Sequence, residues 1–361
     1  MNGRAVQGGC AAAPVSLDAL EIVECGATQK AEWDAFVRSA EGEHYLLYGW
    51  KEVIEEVYGH SCVYLLARRR GAVVGLLPLC CVKSRLFGRS LTSLPFLDTA
   101  GALTDSSEVS EALVNHGVRL AQKLGLEYLE LRQRTRLAGP FRVDTDKISL
   151  TMPLFDDLER QWSALSSERR NRVRKAEKQE LRAQQLGPEG VRDFYRVWSE
   201  NMRDLGSPAH SLAWFSSVLN HFPQSASLLG VLDGPRWIGS ALLLVHQGML
   251  SVPWVSSLRG SFTKHPNDLL YWASIKLGVE MGCSHFDFGR STAGSGNHVY
   301  KSRWGAEASP IYWHYLGLEG REPRLPGSES PILALATRVW KKLPVAVANR
   351  VGPALRKRIT R

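Results

Sequence analysis

The stretch FDFGRSTAGSGNHVYKSRWG, Phe286 to Gly305, decides how the chain is read. Phe286-Asp287-Phe288 has the pattern of a strand end. It opens into a loop, Gly289 to Gly296, with three glycines, three hydroxyls (Ser291, Thr292, Ser295) and Arg290. Tyr300, Lys301, Arg303 and Trp304 follow in a short helical segment. A strand tip, a loop of small residues and a cation just beyond let a backbone approach a polar ligand closely. The same residues also fit a plain surface loop ending in an amphipathic helix. By alternation Asp287 faces away from both phenylalanines. It is then a base or substrate anchor, or a carboxylate paired with Arg290. Arg290, Ser291, Thr292, Tyr300 and Trp304 are candidate substrate contacts.

Working outward, Gly282 ends a helix expected over Asp268–Met281, and Ser284–Gly289 is the strand after it. The first half shows the same order. A helix expected over Glu111–Leu124 ends at Gly125, and the strand Leu126–Arg132 follows. Placing Gly125 on Gly282 puts Leu113, Leu120 and Leu124 over Leu270, Leu277 and Met281. It also puts Tyr128-Leu129-Glu130-Leu131 over His285-Phe286-Asp287-Phe288. Each helix is preceded by a hairpin. Ser61–Arg68 and Ala72–Val82 bracket Arg69-Arg70-Gly71, and Ala226–Leu232 and Trp237–Val245 bracket Asp233-Gly234-Pro235. The chain therefore reads as two copies of a hairpin–strand–helix–strand unit. Leu91–Phe96 and Met249–Val255 supply the third strands. Thr28–Arg38, Tyr48–Tyr58, Asp156–Gln184, Gly190–Met202 and Ser211–Phe222 have helical spacing. The second copy is expected to be the working one, because the first has Arg132-Gln133-Arg134 where the second has the glycine-rich loop.

The 361 residues are 44% hydrophobic and 22% charged, enough for two domains with their own cores. No apolar run reaches the roughly 18 residues a spanning helix needs. The first 18 residues lack a basic stretch followed by a long apolar one and read as a disordered lead, not a signal peptide. Six cysteines without CxxC or Cys/His spacing read as reduced cytosolic thiols, with no structural metal. The net charge of +9 is local: Ser166–Lys178 carries +4 and Pro331–Arg361 carries +8, leaving the rest about −3. No GxSxG, Walker A or HExxH motif is present, and no recognition-helix or zinc-finger pattern supports double-stranded DNA binding.

Pro266–Trp272 (PNDLLYW), Gly282–Thr292 (GCSHFDFGRST) and Tyr300–Glu307 (YKSRWGAE) together resemble FemAB-type proteins, in particular their exosortase/PEP-CTERM-associated branch. The core of that branch is a BioF2-like acetyltransferase domain of the GNAT superfamily. The resemblance is strongest over Ser166–Leu316. It implies an α/β (α+β) fold of tandem GNAT-like domains, each a mixed sheet flanked by helices. The divisions are a lead at 1–18, an N-terminal domain at 19–152, a C-terminal domain with the active site at 153–322, and a linker and basic amphipathic tail at 323–361.

The activity implied is N-acyl or aminoacyl transfer to a cell-envelope or exopolysaccharide precursor, such as a nucleotide- or lipid-linked amino sugar. Acyl-CoA or aminoacyl-tRNA would be the donor, and tRNA a partner. Two alternatives stand beside it: a plain acyl-CoA-dependent N-acetyltransferase, and a non-catalytic binder of anionic polysaccharide precursors or RNA. Such transfer needs both ends held, a proton acceptor and a stabilised oxyanion. Donor phosphates would meet the loop Ser256–Pro266, with Arg259 and Lys264, before a helix capped by Asn267. The R-x-x-G-x-G/A loop of acetyl-CoA enzymes is absent there. Arg169, Arg170, Asn171 and Arg174 match the family's S-x-x-R-R-N-R-x-R motif and would bind substrate phosphates. Lys301 lies in the family's aromatic-Lys-x-x-aromatic-Gly setting and would neutralise the oxyanion or a donor phosphate. His265, His285 and His298 are alternative bases. The tail places Ile332, Leu333, Leu335, Val339 and Trp340 beside Arg338, Lys341 and Lys342, as an interfacial helix on anionic lipid would. The protein is then cytoplasmic, or peripheral on the inner face of the membrane.

Overall fold

Each half contains a hairpin ahead of its strand–helix–strand unit, and the turns that close the two hairpins contain the expected Gly71 and Gly234. The computed structural model describes residues 19–84, 87–323 and 331–359. The expected lead at 1–18, Cys10 and most of the linker lie outside the described residues. The first half runs β1 (Glu21–Glu24), α1 (Lys30–Ser39), α2 (Gly49–Tyr58), β2 (Ser61–Arg69), β3 (Ala72–Ser84), β4 (Gly88–Thr92), α3 (Ser107–Lys123) and β5 (Tyr128–Gln133). Arg70 and Gly71 turn the β2–β3 hairpin at φ +52° and +80°. The Ser106 hydroxyl accepts from Val109 N–H to start α3, and Gly125 at φ +62° turns the chain after it.

A connecting region follows: β6 (Arg142–Asp144), β7 (Lys147–Pro153), α4 (Leu158–Ala164) and α5 (Ser167–Lys178). The second half is β8 (Arg182–Leu186), α6 (Val191–Leu205), α7 (Leu212–His221), β9 (Ala226–Asp233), β10 (Arg236–His246), β11 (Met249–Ser257), α8 (Pro266–Glu280) and β12 (His285–Asp287). Then come β13 (Ser291–Thr292), α9 (Gly296–Ser302), β14 (Glu307–Pro310), β15 (Tyr312–Gly317), α10 (Pro331–Trp340) and α11 (Val345–Arg356). The single helical stretch expected over Asp156–Gln184 is two helices and the edge strand β8. Leu165, extended at ψ 146°, interrupts it, and Ser166 caps α5.

The strands form two mixed sheets. One has the order β1-β2-β3-β4-β5-β15-β6, the other β13-β7-β12-β11-β10-β9-β8, with β14 also on β7. Both repeat the same pattern: antiparallel strands, then one parallel pair joined by a helical crossover, then an antiparallel neighbour. In the first sheet Thr92 is opposite Glu130; in the second, Ser251 is opposite Asp287. The duplication thus holds to the residue. The last strand of each pattern is exchanged. β7, which follows the first half, pairs with β12, and β15, which follows the second, pairs with β5. Cut between 152 and 153, each half would lose a strand to the other. One apolar cluster also spans both halves, with Trp33, Trp50, Trp214 and Phe286 among its members. Exchange and shared core together hold the cleft between the halves in one geometry.

Candidate active site

The site begins where β11 and β12 part. Their parallel register covers only Met249–Ser251 against His285–Asp287. Beyond it β11 continues to Ser257, while β12 ends and the chain turns away through Gly289 at φ +70°. A Cβ on Gly289 would lie 3.3 Å from the Val252 carbonyl oxygen, so only glycine lets the two backbones approach so closely. The opening is a wedge-shaped cavity of about 450 Å³. Val252, Pro253, Val255, Ser256 and Ser257 form one side, and Phe288, Gly289 and Arg290 the other. Asn267, Asn201, Tyr300 and Lys301 complete it. Gly289→Ala should cost about 1–2 kcal/mol, the usual penalty for a side chain in the left-handed region. It should also weaken any ligand of the wedge; a melting curve and a binding titration check both.

Lys301 is buried, and its Nζ donates to the carbonyls of Gly289 and Arg290, both at 3.0 Å. It therefore pins the loop that forms one lip of the wedge. Burial lowers its pKa to about 8; Asp98 and Asp287 oppose this, and Arg290 adds to it. Ser291 is buried on β13, the Thr292 hydroxyl accepts from Lys147, and Gly294 and Gly296 are open to solvent. Of the glycine-rich loop only Gly289 and Arg290 reach the cavity, together with Asn297 just past its end.

At the last pair of the shared register, opposite Ser251, Asp287 closes a second chamber of about 410 Å³. Glu41, Glu43, Tyr45 and Arg134 from the first half line it with His246, Met249 and Ser251 from the second. Asp287 Oδ1 accepts from Gly289 N–H at 2.8 Å, while Oδ2 lies 3.9 Å from Arg134. Arg134 itself is held by Glu43 at 2.5 Å. Burial raises the Asp287 pKa to about 6; Arg134 and the Gly289 N–H pull it down, and Asp98 and Glu43 push it up. The expected Asp287–Arg290 pair is not formed: Arg290 binds Asp98 through its backbone N–H and through Nε, at 3.2 and 3.3 Å.

The first half is therefore not idle. Arg134, read as a sign that its site was lost, faces Asp287. What is closed is the equivalent wedge. Arg132 is fully buried there, bonded to Glu130 at 2.7 Å and to the Leu97 carbonyl, with Trp313 from the exchanged strand 4.2 Å over its guanidinium. Glu43, Tyr45, Asp98 and Arg134 had no local motif to reveal them.

Within the arginine cluster, Arg169 turns inward. Arg169 is fully buried, ion-paired with Asp268 at 2.6 Å and Glu168 at 2.9 Å, beneath Tyr300 and Trp304. Its guanidinium braces α5 against α8 and presents nothing to a phosphate. Arg170 donates to the Ser163 and Leu165 carbonyls at the end of α4. Arg174 lies 5.4 Å from the Trp162 ring, and Asn171 is exposed. Tyr300 spends its hydroxyl on Asp268, and Trp304 is core. Asn267 is not the helix cap. His265 holds that position, and Asn267 accepts from Ser257 at 2.7 Å inside the wedge. Lys264 is paired with Asp233, and Arg259 is exposed at the start of the turn Arg259–Lys264. His265, His285 and His298 line none of these cavities. Among the described residues, no three His, Cys, Asp or Glu side chains are grouped to hold a metal ion.

Residues 167–302 match the family described as Acetyltransferase (GNAT) domain. No curated protein matches the chain in sequence. Among solved structures, FemX superposes with a TM-score of 0.66 at 15% identity, over 81% of this chain and 96% of that one. L-PGS from Bacillus licheniformis gives 0.54 at 13%, over 87% and 97%. A tandem GNAT protein from the clavulanic acid biosynthesis pathway gives 0.51 at 12%, over 86% and 100%. The two-sheet architecture is thus that of tandem GNAT proteins, and the match to the acetyltransferase family falls in the second half.

Proposed function

We propose that this chain is an N-acyltransferase whose donor lies in the wedge between β11 and β12 and whose amine acceptor enters the chamber in front of Asp287. The observation that carries the reading is the parting of two parallel strands between an open wedge and a buried carboxylate that ionises near pH 6. The acceptor nitrogen attacks the donor carbonyl, the C–N bond forms as the C–S bond breaks, and Asp287 Oδ2 takes the amine proton. The departing thiolate then picks up a proton from solvent. The donor is an acyl thioester of the CoA type. Ser256, Ser257 and Asn267 offer the polar contacts an amide-rich arm requires, and exposed Arg259, two residues past Ser257, is the cation offered to its phosphates. Aminoacyl-tRNA carries the same reactive carbonyl as an ester.

The acceptor class, a nucleotide- or lipid-linked amino sugar of an envelope or exopolysaccharide precursor, and the exosortase-associated branch belong to this proposal. The motifs at 266–272, 282–292 and 300–307 support them. Native mass spectrometry of the gently purified chain should show a bound CoA species; bound tRNA instead would replace the donor. Binding of neither, with no acyl transfer to any of a panel of amines, would sink the reading.

The proposal extends to the tail as a membrane-facing element. α10 and α11 pack on α6: Arg203 donates to the Leu343 carbonyl, Asn349 to Ser199, and Ala348 and Gly352 are buried. Removing residues 331–361 would therefore open part of the body. Yet Leu335, Val339, Val347 and Val351 remain 62%, 54%, 44% and 42% exposed, beside Arg338, Lys341, Lys342 and Arg350. Each surface cation adds roughly 1 kcal/mol toward anionic lipid. The double change Leu335→Ser, Val339→Ser should markedly reduce sedimentation with phosphatidylserine-containing vesicles at an unchanged melting temperature. Equal sedimentation would remove the membrane from the proposal. No helix among the described residues is long and apolar enough to cross a membrane.

A further inference from the structure

Between the wedge and the Asp287 chamber lies a third space, of about 250 Å³, that no step above uses. The outward-facing residues of β11 link all three: Met249 and Ser251 at the Asp287 chamber, Pro253 and Val255 here, and Val255 and Ser257 in the wedge. Tyr45 lines both this space and the Asp287 chamber, and Arg290 lines both this space and the wedge. Aromatic walls come from Phe96, Trp198 and Trp254.

Its charge is unusual. Arg290 enters from the loop after β12, and Arg356 from the end of α11, the last helix of the chain. Asp98 pairs with Arg290 through Nε and the backbone, while Arg290 Nη1 is buried with no hydrogen-bond partner among the described residues. Arg356 Nε lies 3.2 Å from His210 Nε2, with its guanidinium 5.6 Å from the Phe96 ring centre. His210 is fully buried against Tyr58 and Trp214, and burial keeps it neutral. That hydrogen bond orients the guanidinium without cancelling its charge. Two guanidinia face a space that holds one carboxylate, Asp98. Planar guanidinia flanking a small space match the bidentate geometry of an oxyanion.

We propose that Arg290 and Arg356 hold an anionic oxygen group of the acceptor, phosphate or carboxylate, while the amine of the same molecule lies at Asp287. This rests on the acyl-transfer reading and narrows its substrate class to an anionic amine. Two to four strand residues separate Ser251 from Pro253–Val255, so the two groups stand about 7–13 Å apart at a strand rise of about 3.3 Å per residue. The C-terminal helix is thereby part of the acceptor site.

Titrating the full-length protein with inorganic phosphate and with acetate, at constant ionic strength and without donor, tests this through the fluorescence of Trp198 and Trp254. Saturable binding of at least one anion is expected. Saturation by phosphate alone marks a phosphate-bearing acceptor, and by acetate alone a carboxylate. Arg356→Gln should weaken binding at least tenfold and leave CoA affinity, measured calorimetrically, unchanged. Asp98→Asn removes the competing carboxylate and should tighten anion binding severalfold, a gain that misfolding cannot imitate. The proposal is overturned if neither anion saturates, if Arg356→Gln binds as the parent does, if Asp98→Asn does not tighten binding, or if CoA affinity falls together with anion affinity. Transfer activity without anion binding would sink this inference alone. Anion binding in a chain that transfers nothing would sink the acyltransferase reading and leave the anion site standing, without its acceptor.

Discussion

Asp287→Asn is expected to lower kcat about 10²–10⁴-fold, the usual contribution of a positioned general base, while making the protein more stable. The two effects share one cause. The carboxyl is buried at the tip of β12, and burial outweighs Arg134 and the Gly289 N–H to raise its pKa from 3.8 to about 6. The folded state therefore holds a proton that the unfolded chain has released between about pH 4 and pH 6. Stability falls as pH rises through that window, and the penalty persists above it. At pH 7 this cost is on the order of 1–3 kcal/mol. Asparagine keeps the shape and the Gly289 hydrogen bond, removes the buried charge, and should raise the melting temperature at pH 7 but not at pH 4. For the parent, kcat/KM should rise tenfold per pH unit below about 6, and this limb should vanish in the variant. An Asp287→Asn protein that turns over at the parent rate would leave Asp287 a structural carboxylate.

The periodic parts of the fold were legible. Alternation located the hairpins, Gly125 and Gly282 located the helix ends, and the alignment of Glu130 with Asp287 is borne out by their matching places in the two parallel registers. The strand exchange was not legible. β15 is the short strand Tyr312–Gly317, and nothing local names β5, some 180 residues earlier, as its partner. The site was half legible for the same reason. The Asp287–Lys301 stretch is contiguous, whereas Glu43, Tyr45, Asp98 and Arg134 reach the cleft only through the packing of one half on the other. Arg169 misled because charge suggested solvent. Arg169, Val173 and Ala176 fall on one helical stripe and are all buried, and that spacing was the available sign that Arg169 faces inward. In Arg132 and Arg134 two residues of one strand end have opposite fates: one plugs the first wedge and the other serves the second half's chamber.

Lys301→Met should lose on the order of 100-fold or more in kcat, the loss seen when one donor to a developing oxyanion is removed. It should also lose stability and melt at a lower temperature. Two of its three protons are given to the Gly289 and Arg290 carbonyls. Charged hydrogen bonds of this kind contribute about 1.5–3 kcal/mol each, and methionine would leave both carbonyls unpaired at the lip of the wedge. The third proton is the one available to the donor's carbonyl oxygen or phosphate. Since burial lowers the Lys301 pKa to about 8, the ammonium is present below that pH and lost above it. With Asp287 supplying the rising limb near 6, kcat/KM should be bell-shaped with its maximum near pH 7. Lys301→Gln separates the two roles. Its amide can still donate to both carbonyls, so the lip should be restored and much of the melting temperature recovered, but no charge returns. If the charge acts in the transition state, Lys301→Gln stays as slow as Lys301→Met and loses the falling limb near 8. Turnover by Lys301→Gln at the parent rate would make Lys301 a positioning residue, one that holds Gly289 and Arg290 in place for chemistry carried out by Asp287.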